Sequence, residues 1–415
     1  MIDIQLVRDN PERIKQKVAE KNMKVDIDLL LKLDVEWRAL QQEVDELRRK
    51  RNELSSKLKS SKPDQKLIDE GKQLKIELAD REGLLDKSKA EFDNLLFRVP
   101  NPHSDDVPVG NEDSSVEIKR YGDCNKTGAI DHLDFAVARG WVDFERGAKV
   151  AGTKFYFLKG ELALLENALL QYGLSVMADE GFTFMTVPHL VNSRTATGAG
   201  FSPRSDKESN EYFVEDEDLS LIATAEMPIT GYHTDEILDE KDLPLLYAGY
   251  SACYRKEAGT YGKHTRGLFR VHQFNKLEMY AFCLPENSLE LHERILGIEE
   301  KIWQEIDIPY HIINIASGDL GSPAAKKYDI EYWSPVDNAF RELTSCSNCT
   351  DFQARNVNIR VKRADGTLLL VHTLNGTAIS MARALVAIIE HYQNADGSLN
   401  VPKVLQKYMG GKETI

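Results

Sequence analysis

Between Asp28 and Leu95 the apolar residues recur at alternating spacings of three and four, and few patterns restrict a chain more. The first run reads Leu30, Leu33, Trp37, Leu40, Val44, Leu47, Leu54 and Leu58, broken at Arg51. The second reads Leu67, Leu74, Leu78, Leu85, Phe92 and Leu95, broken at Gly71, Arg81 and Ser88. This repeat keeps one apolar seam on an α-helix, and the seam must be covered by another helix. Pro63 and Asp64 separate the runs, so the two helices are expected to fold back as an antiparallel coiled-coil hairpin. At about 1.5 Å of rise per residue, helices of about 33 residues make an arm of roughly 50 Å. Ahead of the arm, residues 1–25 read as a short helix, with Asp9 or Asn10 as the cap and Pro11 in the first position.

The region towards the hairpin's turn is basic. Arg48, Arg49, Lys50, Arg51, Lys57, Lys59, Lys62 and Lys66 face only Glu53 and Asp64 in opposition. A basic end without aromatic side chains suits the backbone and shape of a structured nucleic acid better than stacking on single strands. A dimerisation rod with a solvated charged face is the plainer alternative.

The net charge of −14 argues against a general polyanion binder, so the local patch matters more than the sum. The 29% of charged residues agrees with long exposed helices. MIDIQLVRDNPERIK lacks a basic start followed by an apolar run, so no signal peptide is expected. No apolar stretch approaches the roughly 18 residues of a membrane span. Five cysteines without regular spacing suit a reducing, cytoplasmic setting. Cys346 and Cys349 form one CxxC, but a structural zinc site needs about four ligands and no second pair exists, so no zinc is expected.

RVPNPHSDDVPVGNEDSS, 98–115, reads as a linker, which divides the chain into an arm at 1–110 and a body at 111–415. Helices are expected over Leu162–Asp179, stopped by Gly181, and over Leu289–Ile306. Strand runs appear at 182–191, 339–345 and 368–374, the last followed by Asn375-Gly376-Thr377 and a helix carrying Arg383. Strands joined by loops, without βαβ alternation, favour α+β over a doubly wound sheet. No glycine-rich phosphate loop is present.

Ser251 to Phe282 carries the densest chemistry. Two strand-like runs flank a loop bearing Lys263, His264 and Arg266. In the second, Phe269, Val271, Leu277 and Met279 share one parity and read as core. Arg270, His272, Phe274, Lys276, Glu278 and Tyr280 share the other. Basic residues beside a face with an aromatic ring suit a phosphate-bearing ligand whose base stacks on that ring.

Read together, TAEMP at 224–228, YRKEAG at 254–259, FRVHQFNKLE at 269–278, RELTSCSNCTDFQAR at 341–355 and LNGTAISMARALVAIIE at 374–390 resemble the bacterial-type seryl-tRNA synthetases. The resemblance runs along essentially the whole chain. It implies the α+β class II synthetase fold, an antiparallel sheet with flanking helices, preceded by a tRNA-binding arm. It also implies a cytoplasmic homodimer using L-serine, ATP and Mg²⁺, with tRNA(Ser) as acceptor and tRNA(Sec) as a second candidate. The first class II motif would lie around Pro188 and support the dimer.

The same resemblance assigns roles. Arg255, Glu342 and Arg383 would be catalytic. Arg255 would hold the α-phosphate and the serine carboxylate. Phe274 would stack on adenine, Arg383 would cover its other face, and Glu257 would lie close by. Lys256, Val271, His272, Gln273, Leu343 and Thr344 fall within the implied ATP-binding stretches. Glu342 and Ser345 would hold the metal. Thr224, Ala225 and Glu226 would meet the amino acid, with Glu226 on its ammonium group. Glu278, Asn375 and Thr377 would line the serine pocket. Arg48, Arg49, Lys50, Arg51, Lys57 and Lys59 would contact tRNA. A carboxylate nucleophile is already ionised at neutral pH, so no acid–base residue is expected. The competing readings are a catalytically dead paralogue and a carrier-protein aminoacylating relative. The first is disfavoured by the presence of Arg255, Glu278, Glu342 and Arg383, the second by the arm.

Overall fold

The computed structural model describes residues 1–60, 65–201, 210–257 and 266–415. Two compact units divide between Pro102 and His103.

The first unit holds α1 (Ile4–Asp9), α2 (Pro11–Glu20), α3 (Ile27–Ser60) and α4 (Gln65–Phe97). Residues 1–25 thus form two helices where one was expected. Asn10 caps α2, its side-chain oxygen accepting from the Arg13 amide at 3.1 Å, with Pro11 in the first position. The extra helix α1 has its own cap, Asp3, which accepts from the Gln5 amide at 2.8 Å. Arg8 of α1 forks onto the buried Asp34 of α3 at 2.7 and 2.8 Å.

Helices α3 and α4 run antiparallel. Trp37 meets Phe92 at a ring separation of 5.6 Å, and Gly71 lies under Leu54. Val44, Leu47, Leu78 and Leu85 form the buried seam between them. At one break in the apolar pattern a polar group ties the pair, as Arg81 reaches Glu43 at 3.3 Å across the hairpin.

The second unit is built on an eight-stranded sheet. In chain order its strands are β1 (Val116–Tyr121), β2 (Thr183–Thr186), β3 (Leu245–Tyr254), β4 (Gln273–Cys283), β5 (Tyr310–Asn314), β6 (Lys326–Ser334), β7 (Ala339–Thr350) and β8 (His372–Ser380). Their spatial order is β1-β5-β6-β7-β8-β4-β3-β2. Every neighbouring pair is antiparallel except β2 with β3. The helices that matter for the site are α5 (Gly160–Asp179), α6 (Glu226–Tyr232), α7 (Ser288–Ile306), α8 (Phe352–Val357) and α9 (Met381–Tyr392).

Leu277 and Met279 of β4 enter the large core shared with Leu165 of α5, Trp303 of α7 and Leu385 of α9. Tyr280 and Phe282, on the other parity, enter a second core with Ile229 of α6 and Val357 of α8. Alternation along one strand therefore separates the two layers.

Three local readings change. Phe269 ends a short 3₁₀ turn and Val271 precedes β4, so neither lies in the strand. The stretch after His103 is irregular but not loose: the Ser104 amide donates to the Ala325 carbonyl at 2.9 Å, and Val107 is buried with Ile315 and Leu320. Strand β8 continues straight through Asn375-Gly376-Thr377. Gly376 has no room for a side chain, since a Cβ would stand 2.4 Å from Ile295 Cγ2 of α7. The glycine permits close helix–sheet packing, not a turn.

Candidate active site

A cleft of about 570 Å³ opens over the sheet, lined among others by Arg255, Glu257, Phe274, Glu342, Ser345, Thr377 and Arg383. Arg255 follows the last residue of β3, and its Nε donates to the Ala223 carbonyl at 3.3 Å. Its guanidinium carbon lies 5.3 Å from the centre of the Phe274 ring. Arg383, near the start of α9, stands over Phe269 at 5.1 Å and pairs with Glu342 at 2.8 Å. Arg255 therefore covers Phe274, while Arg383 is engaged by Phe269 and Glu342. Glu257 pairs with Arg270 at 3.0 Å.

Glu342 and Ser345 both face this cleft, although residues three apart on a regular strand point to opposite sides. The β6–β7 register explains it. Ile330 pairs with Thr344 and Glu331 with Glu342, so Leu343 is the extra residue of a β-bulge. The bulge resets the parity. Leu343 and Thr344 still line the cleft, but Leu343 also enters the core and the Thr344 hydroxyl accepts from Trp303 Nε1 of α7 at 3.3 Å.

Burial pushes the Glu342 carboxyl up, but the charges of Arg383, Lys327 and Arg255 outweigh it and hold it well below the usual carboxylate range. The Arg383 guanidinium loses by burial and gains more from Glu342. Beside them, burial pushes the Asp329 carboxyl up, with Lys327 opposing at 3.0 Å.

Next to the cleft lies a buried polar pocket. Lys276 pairs with Glu278 at 2.6 Å, and the Thr377 hydroxyl donates to Glu278 at 3.3 Å. Glu226 Oε1 accepts from Asn375 at 3.0 Å and from Gln353 at 2.7 Å. Burial, and then the nearby Glu278 charge, push the Glu226 carboxyl up to about 7. Thr224 and Ala225 are buried just before α6. Gly249 of β3 lets this loop sit close, since a Cβ there would meet Ala225 Cβ at 2.9 Å.

Of the expected residues, the fold thus gathers Arg255, Glu257, Val271, Phe274, Glu342, Leu343, Thr344, Ser345, Thr377 and Arg383 at one cleft, with Thr224, Glu226, Glu278 and Asn375 beside it. Other expected ATP contacts are engaged elsewhere. Lys256 stands over Phe213 and Tyr212, His272 bonds the Tyr212 hydroxyl at 2.8 Å, and Gln273 lines a neighbouring hollow. Lys263, His264, Lys62 and the Lys59 side chain lie outside the described residues.

In the arm, Arg48 bridges to Glu82 at 2.8 Å and Arg49 pairs with Glu53 at 3.9 Å. Lys50, Arg51 and Lys57 are exposed on α3.

Sequence reasoning gave no role to Lys276, Arg270, Lys327 or Gln353. Strand parity did place Lys276 on the face with Phe274 and Glu278, but without a partner or a task. Nothing local marks Gln353. Among the described residues, no group of three or more His, Cys, Asp or Glu side chains is placed to hold a metal. None of their helices is long and apolar enough to cross a membrane.

Residues 212–392 match the model of the class II tRNA synthetase core domain (G, H, P, S and T). Residues 1–103 match that of the seryl-tRNA synthetase N-terminal domain. The serine–tRNA ligase of Dictyoglomus turgidum is 48% identical over 421 residues, covering 100% of this chain and 99% of that one. The crystal structure of seryl-tRNA synthetase from Pyrococcus horikoshii complexed with ATP superposes with a TM-score of 0.90 at 41% identity, covering 100% and 99% of the two chains. The cytoplasmic serine–tRNA ligase of Naegleria fowleri in complex with AMP gives 0.86 at 33% identity, covering 100% and 98%.

Proposed function

The chain belongs to the seryl-tRNA synthetases, and on that premise we propose that it activates L-serine with ATP and transfers the seryl group to the 3′ end of tRNA(Ser). tRNA(Sec) is a second candidate acceptor. The observation that carries this reading is the convergence of Arg255, Glu342 and Arg383 on one cleft beside a buried pocket holding Glu226 and Glu278.

In the first step a serine carboxylate oxygen attacks the α-phosphorus. The bond from that phosphorus to the bridging oxygen breaks, and diphosphate leaves. The nucleophile carries its negative charge already at neutral pH, so no base is needed. The work is positioning and charge stabilisation. Arg255 holds the α-phosphate and the carboxylate. Phe274 offers its ring to the adenine. Arg383 exchanges Glu342 for the nucleotide's phosphates as it enters. In the second step the terminal adenosine hydroxyl attacks the seryl carbonyl carbon, the bond from that carbon to the phosphate oxygen breaks, and AMP leaves, its phosphate accepting the hydroxyl proton.

Glu342 and Ser345 suit a magnesium ion that arrives with the nucleotide. They offer one carboxylate kept ionised by its neighbours and one hydroxyl on the same face, and such ions take their remaining positions from phosphate and water. Bound there, the ion would neutralise phosphate charge.

Glu226 takes the substrate ammonium group. Glu278 and Thr377 take the serine hydroxyl, and alanine would forfeit those bonds while Glu278 keeps Lys276 and Thr377 as partners, so discrimination is expected to fall short of the roughly 10⁴-fold that a fully unpaired polar site gives. Threonine is refused by space alone. The arm takes the tRNA through its basic stretch and the body is catalytic, the expected boundary at 110/111 moving to 102/103 with the division of the two units. A homodimer is proposed through β2, an edge strand whose Phe184 is exposed, and a cytoplasmic setting is in line with the Naegleria fowleri relative, which is named cytoplasmic.

The test is pyrophosphate exchange into ATP by the purified protein across the amino acids. Serine-dependent exchange is expected. Exchange with alanine or glycine and none with serine overturns the substrate.

A further inference from the structure

Glu226 must turn one carboxylate oxygen towards an ammonium group while packed among charged and polar neighbours. Glu278, Lys276 and Tyr280 face it from β4, Arg255 from beyond β3, and Cys349 of β7 lies against Asn375 of β8. What fixes its orientation lies on another helix, more than a hundred residues away in sequence.

Gln353, in the first turn of α8, is fully buried. Its Nε2 donates to Glu226 Oε1 at 2.7 Å and to the Ala199 carbonyl at 2.9 Å. Its Oε1 accepts from the Tyr280 hydroxyl at 2.9 Å and from the Thr373 hydroxyl at 2.6 Å. A side-chain amide has two N–H donors and two acceptor lone pairs, so all four positions are used. A flipped amide would set its oxygen against two acceptors, which fixes the orientation. The Tyr280 hydroxyl in turn accepts from Thr230 at 2.8 Å, one turn along α6 from Glu226. The network therefore returns to the helix that Glu226 begins. Asn375 donates to the same Oε1 at 3.0 Å, and among the described residues no donor meets Oε2.

We infer that Gln353 is a positioning residue for the amino end of the substrate: it clamps Oε1 of Glu226, leaves Oε2 to the ammonium group, and ties that choice to the sheet through Tyr280 and Thr373. The inference rests on the reading of Glu226 as the ammonium partner. The electrostatics agree with it. Burial pushes the Glu226 carboxyl up to about 7, and the Gln353 bond works in the opposite direction, keeping it ionised.

The experiment measures pyrophosphate exchange by the full-length protein, with serine and ATP varied separately from pH 6 to 9. Gln353→Met is expected to raise the serine KM at pH 7 by about tenfold or more, in line with a lost hydrogen bond to a charged group. The ATP KM should stay within twofold. The midpoint of the serine kcat/KM profile should move up in pH, because the unclamped carboxyl protonates more readily. Raising the pH should then restore most of the loss. A parallel rise in both KM values without a shift in midpoint, or no change at all, overturns the inference.

Should Gln353→Met fail to fold, Thr373→Val loosens the amide while leaving its bond to Glu226. About a threefold rise in serine KM with the same upward shift is expected, and an unmoved profile counts against the clamp. Glu226→Gln separates the two claims. If it leaves serine binding and its pH profile unchanged, the ammonium assignment falls first. If it weakens serine while Gln353→Met does not, only the clamp falls.

Discussion

The arm and the cleft fold by opposite logics. The α3–α4 arm buries one seam whose members recur every few residues, and each helix follows a local rule. The cleft draws Arg255, Phe274, Glu342, Thr377 and Arg383 from the end of β3, three further strands and a helix. Its working geometry depends on irregularities, the bulge at Leu343 above all. A periodic element tolerates a lost contact because its neighbours repeat the function. An assembled site does not, because each group is present once.

Arg383→Ala should break that contrast most sharply. It removes a guanidinium from the reacting phosphates and leaves Glu342 facing them unpaired. Serine-dependent exchange is expected to fall about 10³-fold, comparable with deleting one strong transition-state donor. A loss below tenfold would mean that the cleft is as redundant as the arm.

Replacing Arg48–Arg51 and Lys57 together by alanine probes the arm's chemistry. Charging of tRNA is expected to fall about a hundredfold while exchange stays within twofold, since phosphate contacts add up across a surface. Equal losses in both assays would remove the tRNA role of this stretch.

Leu78→Ala probes the arm's cohesion. Leu78 is buried in the seam, and a truncation there should cost about 2–3 kcal/mol, read by denaturant titration of the full chain. Exchange should be unchanged, and a drop would show that the arm's packing is felt at the cleft.

The smallest effect is expected at Arg8. Burial pushes the Asp34 carboxyl up, but the Arg8 and Arg38 charges outweigh it and hold it below its ordinary value. A depressed carboxyl gives stability above its unfolded pKa, and that stability is lost as pH falls through the folded value. Arg8→Ala should therefore destabilise the arm by about 1 kcal/mol at neutral pH, with a smaller difference in acid. Hydrogen exchange of α1 amides reads this directly. Equal protection in both proteins would show that α1 is held by Val7 packing alone.

The legibility of the two regions follows the same division. Both arm helices, the cap at Asn10 and the strand carrying Phe274, Lys276 and Glu278 were readable, because period and capping act within a few residues. The split of residues 1–25 into two helices was not, since α1 depends on Arg8 finding Asp34 in another helix. Leu343 and Thr344 line the cleft as expected but also serve packing, Leu343 in the core and Thr344 on Trp303 of α7, which strand parity cannot anticipate past an inserted residue. Motif order placed Glu226 in the site. Its clamp by Gln353 had no signal, since every partner of that amide comes from a different part of the chain.

By itself the amino-acid order determined the hairpin, the α+β class and the residue types from which a nucleotide and an amino acid can be held. These are consequences of periodicity and side-chain chemistry, which are local. Tertiary structure alone decided which Glu226 oxygen accepts from Gln353 and Asn375, why Glu342 and Ser345 share a face, and how far burial moves the acidity of Glu226. Those depend on register shifts and on the low-polarity surroundings that remote segments create together.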